Sequence, residues 1–238
     1  MSITLTDNLK KIAPKCAVCK IKSYSFCRCL LDDQLKVFAN ISEEKEFKDK
    51  QVIFLQQEAS NHLHNITKGN VKIYKLLSDG RIQIIGFLYP GDFFGSYKKK
   101  KYNYSAEAMG DVRLCVFKQE VLDSYLENNL NLAKEMLHVT SHELTLAQDR
   151  IGVLGKLNAN ERVARFILNI SDQRARIGWQ DNPISLPMTR QDIADYLGLT
   201  LETVSREITR FKTANLIKIM SSKQIFIKDK KKLFDVCH

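Results

Sequence analysis

Two groups of residues in this 238-residue chain have types and spacings that could do chemistry. The first is the run CAVCKIKSYSFCRC, which sets four of the six cysteines, Cys16, Cys19, Cys27 and Cys29, close together in sequence. A Cys-x-x-Cys pair brings two thiolates to one metal at little loop-closure cost, and thiolate-rich sets select zinc or iron–sulfur centres. Burial alone gives no reason for such crowding. The spacing by itself does not choose between the metals, and a structural or purely redox use of the thiols is the competing reading. Cys115, further on, reads by itself as a small core hydrophobe.

The second group lies in MTRQDIADYLGLTLETVSREITRFK, Met188 to Lys212. Thr189 can cap a first helix in a capping box with Asp192, and Gly198 can end it in a left-handed turn. Thr200 caps a second helix, on which Val204, Ile208 and Phe211 form an apolar stripe to pack on Ile193, Ala194 and Leu197. The opposite face carries Glu202, Ser205, Arg206 and Thr209. An arginine fork suits guanine O6/N7, a carboxylate accepts from cytosine N4, and a hydroxyl serves either role, so this face has the chemistry of a DNA-reading helix-turn-helix. Thr189, Arg190 and Thr200, at the helix starts, complete the candidate DNA-contact set. An ordinary helical hairpin with a charged exterior is the plainer alternative.

The elements that must position these groups can be read from periodicity. Residues 32–48 read as charged helix. From Gln51 to Lys118, short alternating runs (VIFL, HLHNI, VKIYKLL, RIQIIGFLY, VRLCVF) are punctuated by Thr67–Asn70, Ser78–Gly80 and Pro90–Asp92, the pattern of an antiparallel jelly roll. The basic run Lys98–Lys101 reads as a solvated loop tip. Residues 120–155 read as helix, with Leu137, Thr140, Leu144, Ala147, Ile151 and Leu154 recurring at steps of three and four. So narrow a seam suits pairing with the same helix of a second copy; burial against the chain's own domains is the alternative. Residues 160–171 continue as an amphipathic helix. After the helix-turn-helix, Leu216–Ile219 and Gln224–Ile227 flank Ser221–Lys223 as the wing of a winged helix. The expected organisation is therefore α+β: a cysteine-rich segment (1–30), a β-roll (31–119), a dimerisation-helix region (120–155) and a winged helix-turn-helix DNA-binding domain (156–238).

Composition agrees. A formal charge of +10 and 44% apolar residues fit folded domains with a polyanionic partner. From Gly155 onward 15 Lys and Arg stand against 9 Asp and Glu, so the candidate DNA-binding part holds more than half of the excess. No N-terminal apolar signal and no 18-residue apolar run is seen, which predicts a cytoplasmic protein without membrane spans, and reduced cysteines rather than a disulfide framework. His62, His64, His138, His142 and His238 fall in no catalytic motif, so an enzyme is not expected.

This order of parts, with the run LGLTLETVSREITRFK, resembles the CRP/FNR superfamily of bacterial transcription regulators over nearly the whole chain. Glu202, Ser205 and Arg206 reproduce the Glu-x-x-Ser-Arg reading set of the FNR branch, and Leu201 stands where the CRP branch has an arginine. The resemblance implies a homodimeric, DNA-binding activator that contacts RNA polymerase and reads palindromes of TTGAT half-sites. It implies one [4Fe–4S] cluster, sensing oxygen or nitric oxide, on Cys16, Cys19, Cys27 and Cys115. Seven residues separate Cys19 from Cys27 where the best-known spacing has five, which leaves Cys29 as an alternative third ligand. Zinc, or a metal-free thiol switch, is the alternative use of the same cysteines. The positions that hold a cyclic nucleotide in other members look like Ser96 and Tyr104-Ser105 here, which supply neither the carboxylate nor the guanidinium, so no cyclic nucleotide is expected.

Overall fold

The structure, a computed structural model, describes residues 16, 18–176 and 178–237. Residues 1–15 and Ala17 of the cysteine-rich segment, with Ile177 and His238, lie outside the described residues. A 3-10 turn, Phe26–Cys29, is capped by the Ser25 hydroxyl, which accepts from the Cys27 amide, and α1 (Asp32–Asn40) follows. The charged run after it does not continue as helix. Ser42–Phe47 is β1, antiparallel to β6 (Ser105–Lys118) from Ser42↔Phe117 to Phe47↔Val112. Helix propensity differs among residues by only tenths of a kcal/mol, so a strand partner outweighs it, and the charges of SEEKEF suit a sheet edge.

β2 (Val52–Phe54), β3 (His62–Leu76), β4 (Ile82–Leu88) and β5 (Phe93–Gly95) complete a six-stranded sheet in the order β1-β6-β3-β4, with β2 beside β6 and β5 beside β3. The turn expected at Thr67–Asn70 is instead a bulge inside a continuous β3: the register with β6 shifts on either side of Lys68, and Gly69 takes φ +82°. A glycine in a turn-like tetrapeptide gives the same local signal whether the chain reverses or only bends. The two-residue period of β6 divides the unit's interior. Val112, Leu114 and Val116 join Phe54, Ile66, Val71 and Phe94 in the roll core, whereas Phe117 joins Phe26, Phe38, Leu63 and Leu122 on the other side, with Cys115 packed against that second cluster. Cys115 and Val116 thus face apart, as the alternation predicts.

The helical stretch read over 120–155 is two helices, α2 (Gln119–Glu127) and α3 (Leu130–Lys156). The break falls at Asn128 and Asn129, whose side-chain amides donate to the Ser124 and Tyr125 carbonyls at 2.9 and 2.8 Å. Such side-chain bonds to backbone carbonyls compete with helix continuation. Next come α4 (Ala159–Arg176), β7 (Ile184–Ser185), α5 (Arg190–Leu197), α6 (Leu201–Thr213), β8 (Ile217–Ser221), β9 (Gln224–Ile227) and α7 (Lys230–Asp235). β8 and β9 form the predicted wing, with β7 added beside β9. The chain divides into two compact units, Met1–Leu76 with Gly86–Glu143 and Leu77–Ile85 with Leu144–His238. That division falls inside α3, earlier than the 156–238 boundary read from the sequence. No helix among the described residues is long and apolar enough to cross a membrane.

A side chain at Gly69 would meet the Asp111 carbonyl oxygen and stand 2.9 Å from Val112 Cα, in a backbone region that already disfavours Cβ. Gly69→Ala is expected to cost about 2–4 kcal/mol, from strain and overpacking together. Urea unfolding checks this: the midpoint should fall with the slope unchanged.

Candidate functional site

The described residues of the cysteine-rich segment pack against the roll. Cys16, Cys19, Cys27 and Cys115 line one pocket together with Phe38, Asn65 and Phe117. Its floor is regular structure: Cys115 sits in the sheet between Glu44 of β1 and Asn65 of β3. Cys29 lies outside this pocket, and its Sγ–H donates to the Phe26 carbonyl at 3.3 Å. Burial pushes the Cys27 thiol up to about 12, against the lowering effect of the Ser25 hydroxyl, and the nearby Cys115, Cys16 and Cys19 add to the rise. A thiolate here would therefore need a cation. As a donor set, four soft sulfurs around one pocket fit a thiolate-bound centre, zinc or iron–sulfur. Among the described residues, however, no three His, Cys, Asp or Glu side chains are gathered tightly enough to share a single metal ion.

The pocket is tied mechanically to its surroundings. Phe26, in the 3-10 turn between Cys19 and Cys29, is 2% exposed and packs edge-on against Phe38, Phe93 and Phe117 at 5.7, 4.8 and 6.1 Å between ring centres. Leu132, Met136 and Val139 of α3 belong to the same cluster, and Arg28 pairs with Glu135 of α3 at 2.8 Å. Neither Arg28 nor Glu135 stands out in the sequence, because a single charge on a loop and another on a helix carry no pairing signal.

In the other unit the helix-turn-helix is built as its residues dictate. The Thr189 hydroxyl accepts from the Asp192 amide at 3.0 Å and Asp192 Oδ2 accepts from the Thr189 amide at 2.8 Å, closing the capping box. Gly198 takes φ 64°, and the Thr200 hydroxyl accepts from the Thr203 amide at 3.2 Å. Ile193, Ala194, Leu197, Val204, Ile208 and Phe211 are all buried. Their burial fixes the rotation of α6 and leaves Glu202, Ser205, Arg206 and Thr209 exposed on one helix. The Glu202 carboxyl is held below its ordinary range by its own backbone N–H and the Thr200 hydroxyl, so at neutral pH it is an acceptor. The other candidates are placed differently. Thr209 donates to the Ser205 carbonyl at 2.9 Å, and Thr189 and Thr200 serve as caps. Arg190 is half-buried, with Nη1 enclosed and lacking a hydrogen-bond partner. Glu207 was not among the expected site residues, yet it is buried beneath Arg206 and Arg210. The readable signal was its position on the apolar stripe, where a carboxylate is out of place.

Two further features concern the roll and α3. Ser96 Oγ donates to Asn103 Oδ1 at 3.1 Å, the Tyr104 hydroxyl is bound to the Gly95 amide and carbonyl at 2.8 and 3.0 Å, and Ser105 Oγ accepts from the Gln56 amide at 2.9 Å. Ser96, Tyr104 and Ser105 thus hydrogen-bond to the roll's own backbone and side chains. Along α3 the seam residues Leu137, Leu144 and Ile151 are 71%, 59% and 73% exposed, Thr140 and Ala147 are exposed, and Leu154 is half-buried.

Comparison with known proteins agrees with this architecture. Residues 44–129 match the family described as cyclic nucleotide-binding domain, and residues 161–236 the Crp-like helix-turn-helix domain. The chain is 35% identical over 205 residues, 86% of each chain, to the nitrogen fixation regulation protein FixK of Bradyrhizobium diazoefficiens. It is 33% identical over 207 residues to the fumarate and nitrate reduction regulatory protein of Yersinia pestis, covering 86% of this chain and 83% of that one. The solved structure of FixK2 from Bradyrhizobium japonicum superimposes with a TM-score of 0.77 at 33% identity, covering 83% of this chain and 98% of the other. A roll followed by a long helix and a winged helix-turn-helix, with relatives this similar over most of its length, makes the chain a DNA-binding transcription regulator of the CRP/FNR family, not an enzyme.

Proposed function

We propose that this regulator is a homodimer that senses oxygen or nitric oxide through a [4Fe–4S] cluster on Cys16, Cys19, Cys27 and Cys115 and reads TTGAT-type palindromes. The observation that carries the proposal is the meeting of those four cysteines at one pocket, with Cys29 turned to the Phe26 carbonyl instead. A tetrahedral zinc site needs all its sulfurs about 2.3 Å from one point. A [4Fe–4S] cluster takes one thiolate on each of its irons, which Cys16, Cys19, Cys27 and Cys115 can supply together. When bound, such a cluster supplies an oxidant-sensitive link among the four thiolates.

The chain's own residues give that link a route to DNA binding. With the four sulfurs held together, the turn Phe26–Cys29 stays on the aromatic cluster and Arg28 stays on Glu135, which fixes the first turns of α3. The seam from Leu137 to Leu154 is then held ready to pair with a second copy, and pairing sets two α6 helices at the spacing of successive half-sites, about 34 Å. Release of the cysteine segment removes the Phe26 packing and the ion pair and shifts the balance toward unpaired chains. Because the coupling is reciprocal, operator DNA favours the intact segment in turn. No cyclic nucleotide enters this scheme, and RNA polymerase is the expected protein partner once the dimer is on DNA.

Protein purified under nitrogen should be brown and should lose operator affinity on exposure to air; colourless protein with about one zinc per chain would sink the cluster and leave the zinc reading. Leu144→Glu places a charge on the seam and should give monomers in sedimentation at concentrations where the parent is dimeric. Arg206→Ala should relax discrimination at the guanine of each half-site at a cost of about 1–3 kcal/mol, as measured by anisotropy on matched and substituted duplexes.

A further inference from the structure

The apolar stripe of α6 passes through Val204, Ile208 and Phe211, and Glu207 lies on it at 6% exposure. A carboxylate is seldom so enclosed without partners, and this one has three. Oε2 accepts from Asn160 Nδ2, at the start of α4, at 2.8 Å. Arg206 Nε donates to Oε1 at 3.4 Å, and Arg210 Nη1 stands 3.6 Å from Oε2. Burial alone would raise the Glu207 carboxyl, but the Asn160 amide and the two guanidiniums outweigh it and hold the carboxyl below its ordinary range.

Packing gives no reason for this charge, because a hydrophobe of similar volume commonly serves a helix interface as well as a buried ion pair. The geometry at Arg206 does give one. A guanidinium reads guanine O6 and N7 through two parallel N–H bonds, and it has five N–H groups to share. Contact at Nε leaves both terminal nitrogens available to a base. An arginine restrained beforehand also loses less side-chain freedom when it binds. We propose that Glu207 is a positioning residue for sequence reading. Anchored by Asn160, it holds Arg206 by the Nε edge and keeps Arg206 and Arg210 from pairing indiscriminately with phosphates. The inference rests on the reading of Arg206 as a base contact.

The test uses full-length protein under nitrogen and anisotropy against three duplexes: a palindrome of TTGAT half-sites, the same duplex with both half-site guanines replaced, and an unrelated sequence. Glu207→Gln keeps size and an acceptor for Asn160 but removes the charge; Glu207→Asp keeps the charge but shortens the reach. Each should lower the affinity ratio of the first duplex to the second by roughly tenfold. Glu207→Gln should also bind the unrelated duplex more tightly, with a salt slope steeper by about 0.9 for each arginine released to a phosphate. In an Arg206→Ala background Glu207→Gln should leave the ratio unchanged. A uniform loss on all three duplexes, an unchanged ratio in both variants, or failure of both to fold overturns the proposal. If Arg206→Ala itself leaves the ratio unchanged, the base reading fails and the Glu207 role falls with it. If Arg206→Ala lowers the ratio and neither Glu207 variant does, only the Glu207 role is lost.

Discussion

The two-residue alternation of β6 is the constraint on which the N-terminal unit depends. One strand supplies Val112, Leu114 and Val116 to the roll core and, from the opposite face, Phe117 and Cys115 to the cluster that receives the cysteine segment. A shift of one residue in its register would exchange those faces, burying the thiol in the roll and turning the valines toward the segment. Pairing with both β1 and β3 guards against such a slip, since each neighbour fixes the same register independently. Cys115 is therefore carried on a strand held by a partner on each side.

What the sequence made legible follows from how local each signal is. The helix-turn-helix was readable almost atom by atom, because a capping box, a left-handed glycine and an apolar stripe are all decided within a few residues of one another. The wing was equally plain. The strand SEEKEF was not, because its conformation is set by a partner more than sixty residues away and not by its own propensities. Gly69 was misread for a related reason: a turn and a bulge differ in what the flanking strands do, not in the tetrapeptide itself. Among the cysteines, sequence spacing left Cys27 and Cys29 equivalent. Only the 3-10 turn distinguishes them, since it sends neighbouring side chains to different surroundings. Asn160 and Arg28 had no local signature, because each acts through a partner on a different element.

The recognition helix combines two demands that oppose each other. Its outer face must be cationic enough to approach a phosphate backbone, yet discrimination among bases depends on those cations not being satisfied by phosphates wherever they land. The buried carboxylate under Arg206 and Arg210 lowers the net positive charge without occupying the exposed surface.

The exposed apolar residues of α3 bear on how such a regulator responds in a cell. Leu137, Leu144 and Ile151 are each more than half exposed on the single chain, so any pairing through them is an equilibrium set by how many copies are present. If that pairing precedes operator binding, occupancy rises with the square of copy number while chains are mostly single, and linearly once they are mostly paired.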